Sequence, residues 1–383
     1  MTSIALAAWD WPAFAGGGAA SLLHTAAVGL VERGARVTVW TRGGGDRDAA
    51  LAGAAPIGGV TVVGLPGRSW RQRGTRHWER GVADALDRSV PDGVIVGSLD
   101  ALPGVVAAVD GRAPVACIAH GRDVTGRRSW GHRSLRRRAL GLPGVTWLTL
   151  TRWLADELVA RGIPQDRTRV VPAAVAAAVP GPPATDAVRW SEGHQEAAVP
   201  RLLVLGRLIP RKGHALLLDA WPRLRAAHPG VELDIVGGGP LAGELRGRAA
   251  DMPGVHVLGH LPAPDLEARW RSADLLVLPC HEGPDGDTEG YGLVFLEAAA
   301  RGLASVGGAT AGAAEAIAQV GGFPIRAPLD PHDIARTILS ALADPEALRR
   351  RALAARRTWE AAHRPHHLGE ALLAAVGLSA EAA

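Results

Sequence analysis

Asparagine is absent from this sequence, and lysine occurs once, at Lys212, among 42 lysine and arginine residues. Such scarcity points to a GC-rich genome, in which alanine, glycine, proline and arginine codons displace the others. Any chemistry that requires an ammonium group must therefore use Lys212. An ammonium is a compact point charge and a guanidinium a planar fork, so a lysine that persists against this bias suggests a position where the point charge matters. Chance is the competing explanation, and the neighbourhood of Lys212 has to decide. Tyrosine also occurs once, as Tyr291. The two cysteines, Cys117 and Cys280, lie in apolar runs without metal-ligand spacing, which predicts buried thiols in a reducing cytoplasm. No apolar run reaches the length of about 18 residues that a transmembrane helix needs. The opening stretch lacks the basic region of a secretory signal and reads as a first strand.

What is present reads as a globular enzyme-sized chain. The hydrophobic and charged fractions, 47% and 21% over 383 residues, suit a protein with two cores. Short apolar runs alternate with helical patterns, the signature of β-α-β units on parallel sheets. Strands are predicted near 3–9, 36–41, 60–64, 93–97, 114–119, 145–150 and 168–172, then near 201–206, 231–236, 255–258, 274–279, 303–307 and 323–325. A Pro/Ala/Gly-rich stretch between the two sets reads as a linker. The fold class is α/β, with two doubly wound halves and a ligand cleft at the carboxyl ends of their strands. The expected domains are 1–180, a linker at 181–200, a second domain at 201–360, and a C-terminal helix at 361–383 packing back on the first. The tail from 344 to 378 reads as helical.

Three segments of the second half carry chemistry. Gly206-Arg207-Leu-Ile-Pro-Arg211-Lys212-Gly213 puts two or three cations after a strand, where an anion would lie; a solvated basic loop is the alternative. Gly237-Gly238-Gly239 ends a strand in a turn that permits close backbone approach, or serves as plain turn chemistry. Glu289-Gly290-Tyr291-Gly292-Leu293-Val-Phe-Leu-Glu297 sets two glutamates about a Gly-x-Gly turn at the start of an apolar helix. Backbone N–H groups and the dipole at such a start favour negative charge. A cap and a surface charge would explain either glutamate singly, but explain both poorly.

Together these segments resemble the retaining GT-B glycosyltransferases of family 4. The E-G-Y-G-L-V-F-L-E run is similar to that family's E-x7-E motif, and G-R-L-I-P-R-K-G, I-V-G-G-G-P-L, S-A-D-L-L-V-L-P and L-A-D-P-E-A-L-R-R follow its landmarks in order. The resemblance implies two Rossmann-like domains and transfer of a sugar from a nucleotide-diphosphate sugar to a hydroxyl acceptor. It implies that Arg207 and Lys212 neutralise the leaving diphosphate, that Glu289 binds the donor sugar with the backbone of Gly290, Tyr291, Gly292 and Leu293 nearby, and that Glu297 holds the ribose; Gly238 joins the donor site. Glu315 is a structural candidate only. In the first half, Gly16, Gly17 and Gly18 are similar to the family's N-terminal donor loop, and His120-Gly121 to its His-Gly motif; a satisfied histidine at a strand end is the alternative for His120. Thr149 and Thr151 match a Ser/Thr position of the cleft. Pro172-Ala-Ala-Val-Ala176 departs from the family's Pro-x-Gly-Val-Asp. Asp285-Gly286-Asp287 mimics the metal-binding motif of another glycosyltransferase fold and is read as a loop, so no metal is expected to be required.

Two arginine-rich stretches, Arg68–Arg80 with its tryptophans and Arg122–Arg138, suit an anionic membrane interface. Similar patches occur in phosphatidylinositol mannosyltransferases, which the chain also resembles in the Gly-Asp-Thr that leads into Glu289. A solvated face inflated by codon bias carries more weight, and an anionic soluble acceptor is a further option. No nucleic-acid recognition motif accompanies the charge. The expected location is cytoplasmic, with peripheral contact to the inner membrane face as the variant; oligomeric state is open. Three competing functions remain: an epimerase, a phosphorylase on the same architecture, whose pyridoxal phosphate form would need Lys212, and a non-catalytic sugar-nucleotide-binding protein.

Overall fold

A computed structural model describes residues 1–8, 11, 17–42, 57–65, 74–126, 130–176, 199–283 and 285–379, without the side chains of 74–79, 122, 130–133 and 135. The chain divides into two compact units. The first comprises Met1–Val175 with His363–Ala383, the second Ala176–Ala362.

The first unit is built on seven parallel strands: β1 (Ser3–Ala8), β2 (Arg36–Arg42), β3 (Val60–Leu65), β4 (Gly93–Val96), β5 (Val115–Ile118), β6 (Val145–Thr149) and β7 (Thr168–Val170). Their order is β3-β2-β1-β4-β5-β6-β7. The second unit has six: β8 (Arg201–Leu205), β9 (Glu232–Val236), β10 (Val255–Gly259), β11 (Leu275–Leu278), β12 (Ser305–Gly308) and β13 (Phe323–Ile325), in the order β10-β9-β8-β11-β12-β13. All pairings are parallel, as β8 and β11 illustrate with Leu202 opposite Leu275. Such sheets are covered on both faces, so their strands read as unbroken apolar runs. Leu202, Leu203 and Val204 of β8 and all four residues of β11 are buried accordingly.

In both units the chain begins at the middle of the sheet, winds outward to one edge, then returns to build the other half. The reversal falls between β1 and β4 in the first unit and between β8 and β11 in the second. Loops leaving the carboxyl ends of strands at such a switch point diverge and leave a crevice where ligands bind. Among the described residues no helix is long and apolar enough to cross a membrane.

The tail, expected to be helical over 344–378, is two helices. Helix Pro345–Ala362 ends before Pro365, and helix Pro365–Ala375 starts there. Proline disfavours the helical conformation in the residue before it, which forces the break. The break is also a seam: the His363 Nδ1–H donates to the Ala173 carbonyl at 2.7 Å, and the Val175 N–H to the His363 carbonyl at 3.2 Å. Beyond it, helix Pro365–Ala375 lies against helix Gly18–Glu32 of the first unit with glycine facing backbone on both sides. A Cβ at Gly29 would sit 1.9 Å from the Pro365 oxygen, and one at Gly369 would sit 2.2 Å from the Gly29 oxygen.

Candidate active site

The two switch-point strands of the second unit deliver the cations and the carboxylate. After β8 the chain forms a short 3-10 turn, Pro210–Lys212, closed by Gly213 at φ 73°. A Cβ on Gly213 would meet the Pro279 oxygen at 2.1 Å, and the His281 N–H donates to the Arg211 carbonyl at 2.9 Å. Only glycine allows that approach, so the turn carrying Arg211 and Lys212 is fixed to the segment following β11. The loop after β9 is interlocked with it: the Leu208 N–H donates to the Gly238 carbonyl at 2.9 Å and the Leu241 N–H to the Leu208 carbonyl at 3.1 Å. Gly238 faces open space, with no atom within 4 Å of the Cβ it lacks.

The segment before helix Leu293–Ala299 folds on itself. The Asp287 N–H donates to the Asp285 side chain at 3.2 Å and the Gly283 N–H to the Asp287 carbonyl at 2.9 Å, an aspartate turn of ordinary kind. The Glu289 carbonyl accepts from the Gly312 N–H at 3.1 Å. Gly292, at φ 92°, then opens the seven-residue helix.

At the meeting point Lys212 Nζ and Arg211 Nη1 both contact Glu289 Oε2, the arginine at 2.6 Å. Arg211 Nε also donates to Asp287 Oδ2 at 3.0 Å. Side-chain exposures of 15% for Arg211 and 12% for Lys212 and Glu289 put this cluster at the rim of the interior, open on one side. Burial alone would raise the Glu289 carboxyl, but Lys212 and Arg211 overcome it and hold the group at about 2. Glu297 goes the other way: burial lifts it above the usual carboxylate range, and Arg301 and Lys212 only partly offset that. His214, the first residue of helix His214–Ala227, is fully buried, and among the described residues neither ring nitrogen has a hydrogen-bond partner of ordinary geometry. Burial first, then the Lys212 charge, depress it to about 4, against a weak pull from the Ile209 carbonyl.

Of the four catalytic candidates, Lys212 and Glu289 are therefore brought together. Arg207 lies exposed on the same loop, its carbonyl accepting from the Ile209 N–H at 2.9 Å. His120 belongs to the first unit, at the carboxyl end of β5, where its Nε2–H donates to the Gly97 carbonyl at 3.1 Å. That bond fixes the Nε2–H tautomer of the neutral ring and leaves Nδ1 as an acceptor. Gly17 (φ 144°) caps helix Gly18–Glu32 with space around it, whereas Gly16 lies outside the described residues. The Tyr291 ring is buried and its hydroxyl donates to Gln319 Oε1 at 2.6 Å, which leaves its backbone, the part expected near the donor, to serve a ligand. Thr149 and Thr151 are fully buried, the first donating to the Thr151 carbonyl at 3.0 Å and the second capping helix Arg152–Val159 through the Leu154 N–H.

Sequence reasoning did not assign Arg211, Asp287, His214 or Gly312. Arg211 sits next to the lone lysine and Asp287 two residues before Glu289, which was the available signal. Their pairing spans 76 positions, and no pattern in the chain announces it. The arrangement can do one kind of chemistry readily. Lys212 and Arg207 on one loop match a polyanion, and the Oε1 of an ionised Glu289, which makes no hydrogen bond among the described residues, can accept from hydroxyls.

Two family models match the chain. "Glycosyltransferase Family 4" covers residues 16–179 and "Glycosyl transferases group 1" covers residues 199–344. A GDP-mannose-dependent alpha-(1-6)-phosphatidylinositol monomannoside mannosyltransferase of Mycolicibacterium smegmatis is 42% identical over 123 residues, 31% of this chain and 32% of that one. A glycogen synthase of Mycobacterium tuberculosis is 37% identical over 176 residues, 45% of this chain and 41% of that one. The similarity thus spans about a third to two-fifths of these relatives. Among solved structures, Anabaena HepE in complex with UDP and glucose aligns over 98% of this chain and 100% of its own with a TM-score of 0.75 at 17% identity. WaaG, a glycosyltransferase involved in lipopolysaccharide biosynthesis, aligns over 97% and 99% with a TM-score of 0.72 at 20% identity. With two parallel-sheet Rossmann-like units matched over their length by GT-B structures, and a family model on each, the chain belongs to the GT-B glycosyltransferases of family 4.

Proposed function

We propose that the protein transfers a sugar from a nucleotide-diphosphate sugar to a hydroxyl acceptor with retention at the anomeric carbon. The observation that carries this reading is the convergence of Lys212 and Glu289, delivered by separate loops to the switch point of one sheet. As the glycosidic bond breaks, negative charge builds on the departing diphosphate, and Lys212 and Arg207 stabilise it. Preorganised cations in a partly desolvated site are worth a few kcal/mol each in such a step, on the order of a hundredfold in rate or more. Glu289 holds hydroxyls of the donor sugar, and Glu297 those of the ribose. The acceptor hydroxyl enters from the face the diphosphate leaves, and a departing phosphate oxygen takes its proton. For His120, whose Nδ1 the bond to Gly97 leaves as an acceptor, the proposed role is a hydrogen bond to the donor sugar.

The cations already match the phosphate charge, so the reaction is proposed to need no metal. GDP-mannose is the first donor to test, because the relative at 42% identity is named for it, with UDP-glucose second, since HepE is complexed with UDP and glucose. Slow release of nucleoside diphosphate from either donor, surviving excess EDTA, is the expected result. Binding of the donors without any release would sink the transferase reading, and activity restored only by added magnesium would sink the metal-free one.

The proposed setting is cytoplasmic, with peripheral contact to the anionic inner membrane face as the variant to test. Arg137 and Arg138, exposed on helix Trp130–Leu140, support it, and the remaining arginines of 68–80 and 122–136 lie largely outside the described side chains. Sedimentation with phosphatidylinositol-containing liposomes at low salt tests it, and absence of co-sedimentation would rule it out.

A further inference from the structure

Two adjacent cations share one oxygen of Glu289, yet their surroundings differ. Among the described residues Lys212 forms an ion pair with Glu289 alone, whereas Arg211 continues to Asp287, so that Asp287, Arg211 and Glu289 form a line. The four side chains sum to zero charge: Lys212 and Arg211 against Asp287 and Glu289. A diphosphate that draws Lys212 away would leave Glu289 facing the interior with Arg211 as its remaining cation. The backbone supports such a division. Gly213 and the His281 N–H pin the Arg211 end of the turn, and the aspartate turn at Asp285–Asp287 holds the far partner.

We infer that Arg211, anchored by Asp287, is a positioning residue that keeps the Glu289 carboxylate aimed and ionised when Lys212 moves from Glu289 to the donor diphosphate. This rests on the donor reading of the same site. An unanchored arginine could follow Lys212 to the phosphate; the bond to Asp287 prevents it by holding the guanidinium from its Nε side. The carboxylate is then never left beside apolar surface without a countercharge, a state whose desolvation would drive it to protonate.

The lone lysine supplies a probe. Reductive methylation with 13C-formaldehyde labels Lys212 and the α-amine, so one side-chain resonance reports on the Lys212–Glu289 pair. The charged and titratable groups around that pair are Arg211 and Asp287, Cys280 at the end of β11, Glu297 on helix Leu293–Ala299 with Arg301 beside it, and His214 beyond Lys212. Glu315 faces the site's far side through Tyr291. Wild-type protein should show no step from Glu289 in the Lys212 signal between about pH 6 and pH 4, a window bracketing the ordinary carboxylate range; the raised Glu297 carboxyl also faces Lys212, so all traces are read in a Glu297→Gln background. Arg211→Gln and Asp287→Asn should bring a step into that window. Arg211→Lys, which adds a second labelled lysine, should leave both side-chain resonances free of the step, and Glu289→Gln in the Arg211→Gln background should abolish it.

Donor turnover is the companion measurement. The acid limb of kcat/KM should move to higher pH in Arg211→Gln, with activity at pH 8 less affected. An Arg211→Gln trace as flat as wild type, or a loss of activity uniform in pH, would overturn the role given to Arg211. Failure of the wild type to release nucleoside diphosphate would instead overturn the donor reading and leave the Lys212 signal to judge the clamp.

Discussion

The Gly312 N–H donates to the carbonyl oxygen of Glu289 at 3.1 Å, while a Cβ at Gly312 would fall 2.0 Å from the carbonyl oxygen of Gly290. The helix Ala311–Gln319 after β12 is thereby the support on which the Glu289 turn rests. Gly312→Ala should push that turn away, at a stability cost of about 1–3 kcal/mol, typical of overpacking. Its effect on turnover should exceed its effect on melting, because small misplacements of a binding group cost rate steeply. Thermal melts beside donor-hydrolysis rates test this. Full activity with a lowered melting point would show that the turn tolerates displacement.

Lys212→Ala should reduce donor turnover by about a hundredfold or more while leaving the fold intact. Lys212→Arg should also be impaired. Lys212 is largely enclosed, with its Cε and Nζ within 4 Å of the place a Gly206 side chain would occupy, and Arg211 already fills the fork-shaped role beside it. Wild-type kcat/KM in the arginine variant would remove the argument from composition and leave family membership untouched.

His214 makes a pH prediction with a definite sign. Its folded-state value of about 4 lies below the ordinary 6.5, so the unfolded chain binds the proton more readily between these values. Stability is therefore lost as pH falls from 6.5 toward 4 and is flat in this respect above 6.5. The effect is at most about 3 kcal/mol. His214→Leu, similar in size and free of unpartnered nitrogens, should flatten that slope in urea titrations run across the range. An unchanged slope would assign the acid sensitivity elsewhere.

Glu297 offers the opposite case. Burial raises its carboxyl, so its contribution favours the fold at low pH and is lost as pH rises through the raised value. Glu297→Gln should melt higher than wild type at neutral pH, with the advantage fading toward pH 4. Its donor binding should weaken by about tenfold, the loss expected for one charge-assisted hydrogen bond. Calorimetric melts and a nucleoside diphosphate titration read the two effects separately, and a Glu297→Gln protein no more stable at neutral pH would refute the first.

These positions also show where sequence reading succeeds and where it stops. The strands were legible because a parallel strand buried on both faces is a short unbroken apolar run, as in Leu275–Leu278. Lys212 and Glu289 were legible through glycine-bracketed motifs at strand ends. Asp287 was read as a loop residue because its turn is local, whereas its contact with Arg211 is created by two strands lying side by side. Gly312 and Gly213 were invisible for a related reason: what makes each necessary is a carbonyl brought close by a different loop.

The seam at His363 has a consequence for how the molecule is made. Because helix Pro365–Ala375 completes the first unit, the second unit is, in chain order, an insertion within it. During synthesis Ala176–Ala362 can close its sheet while the first unit still lacks the helix that packs on Gly29. The earlier-made half is therefore the last to be finished.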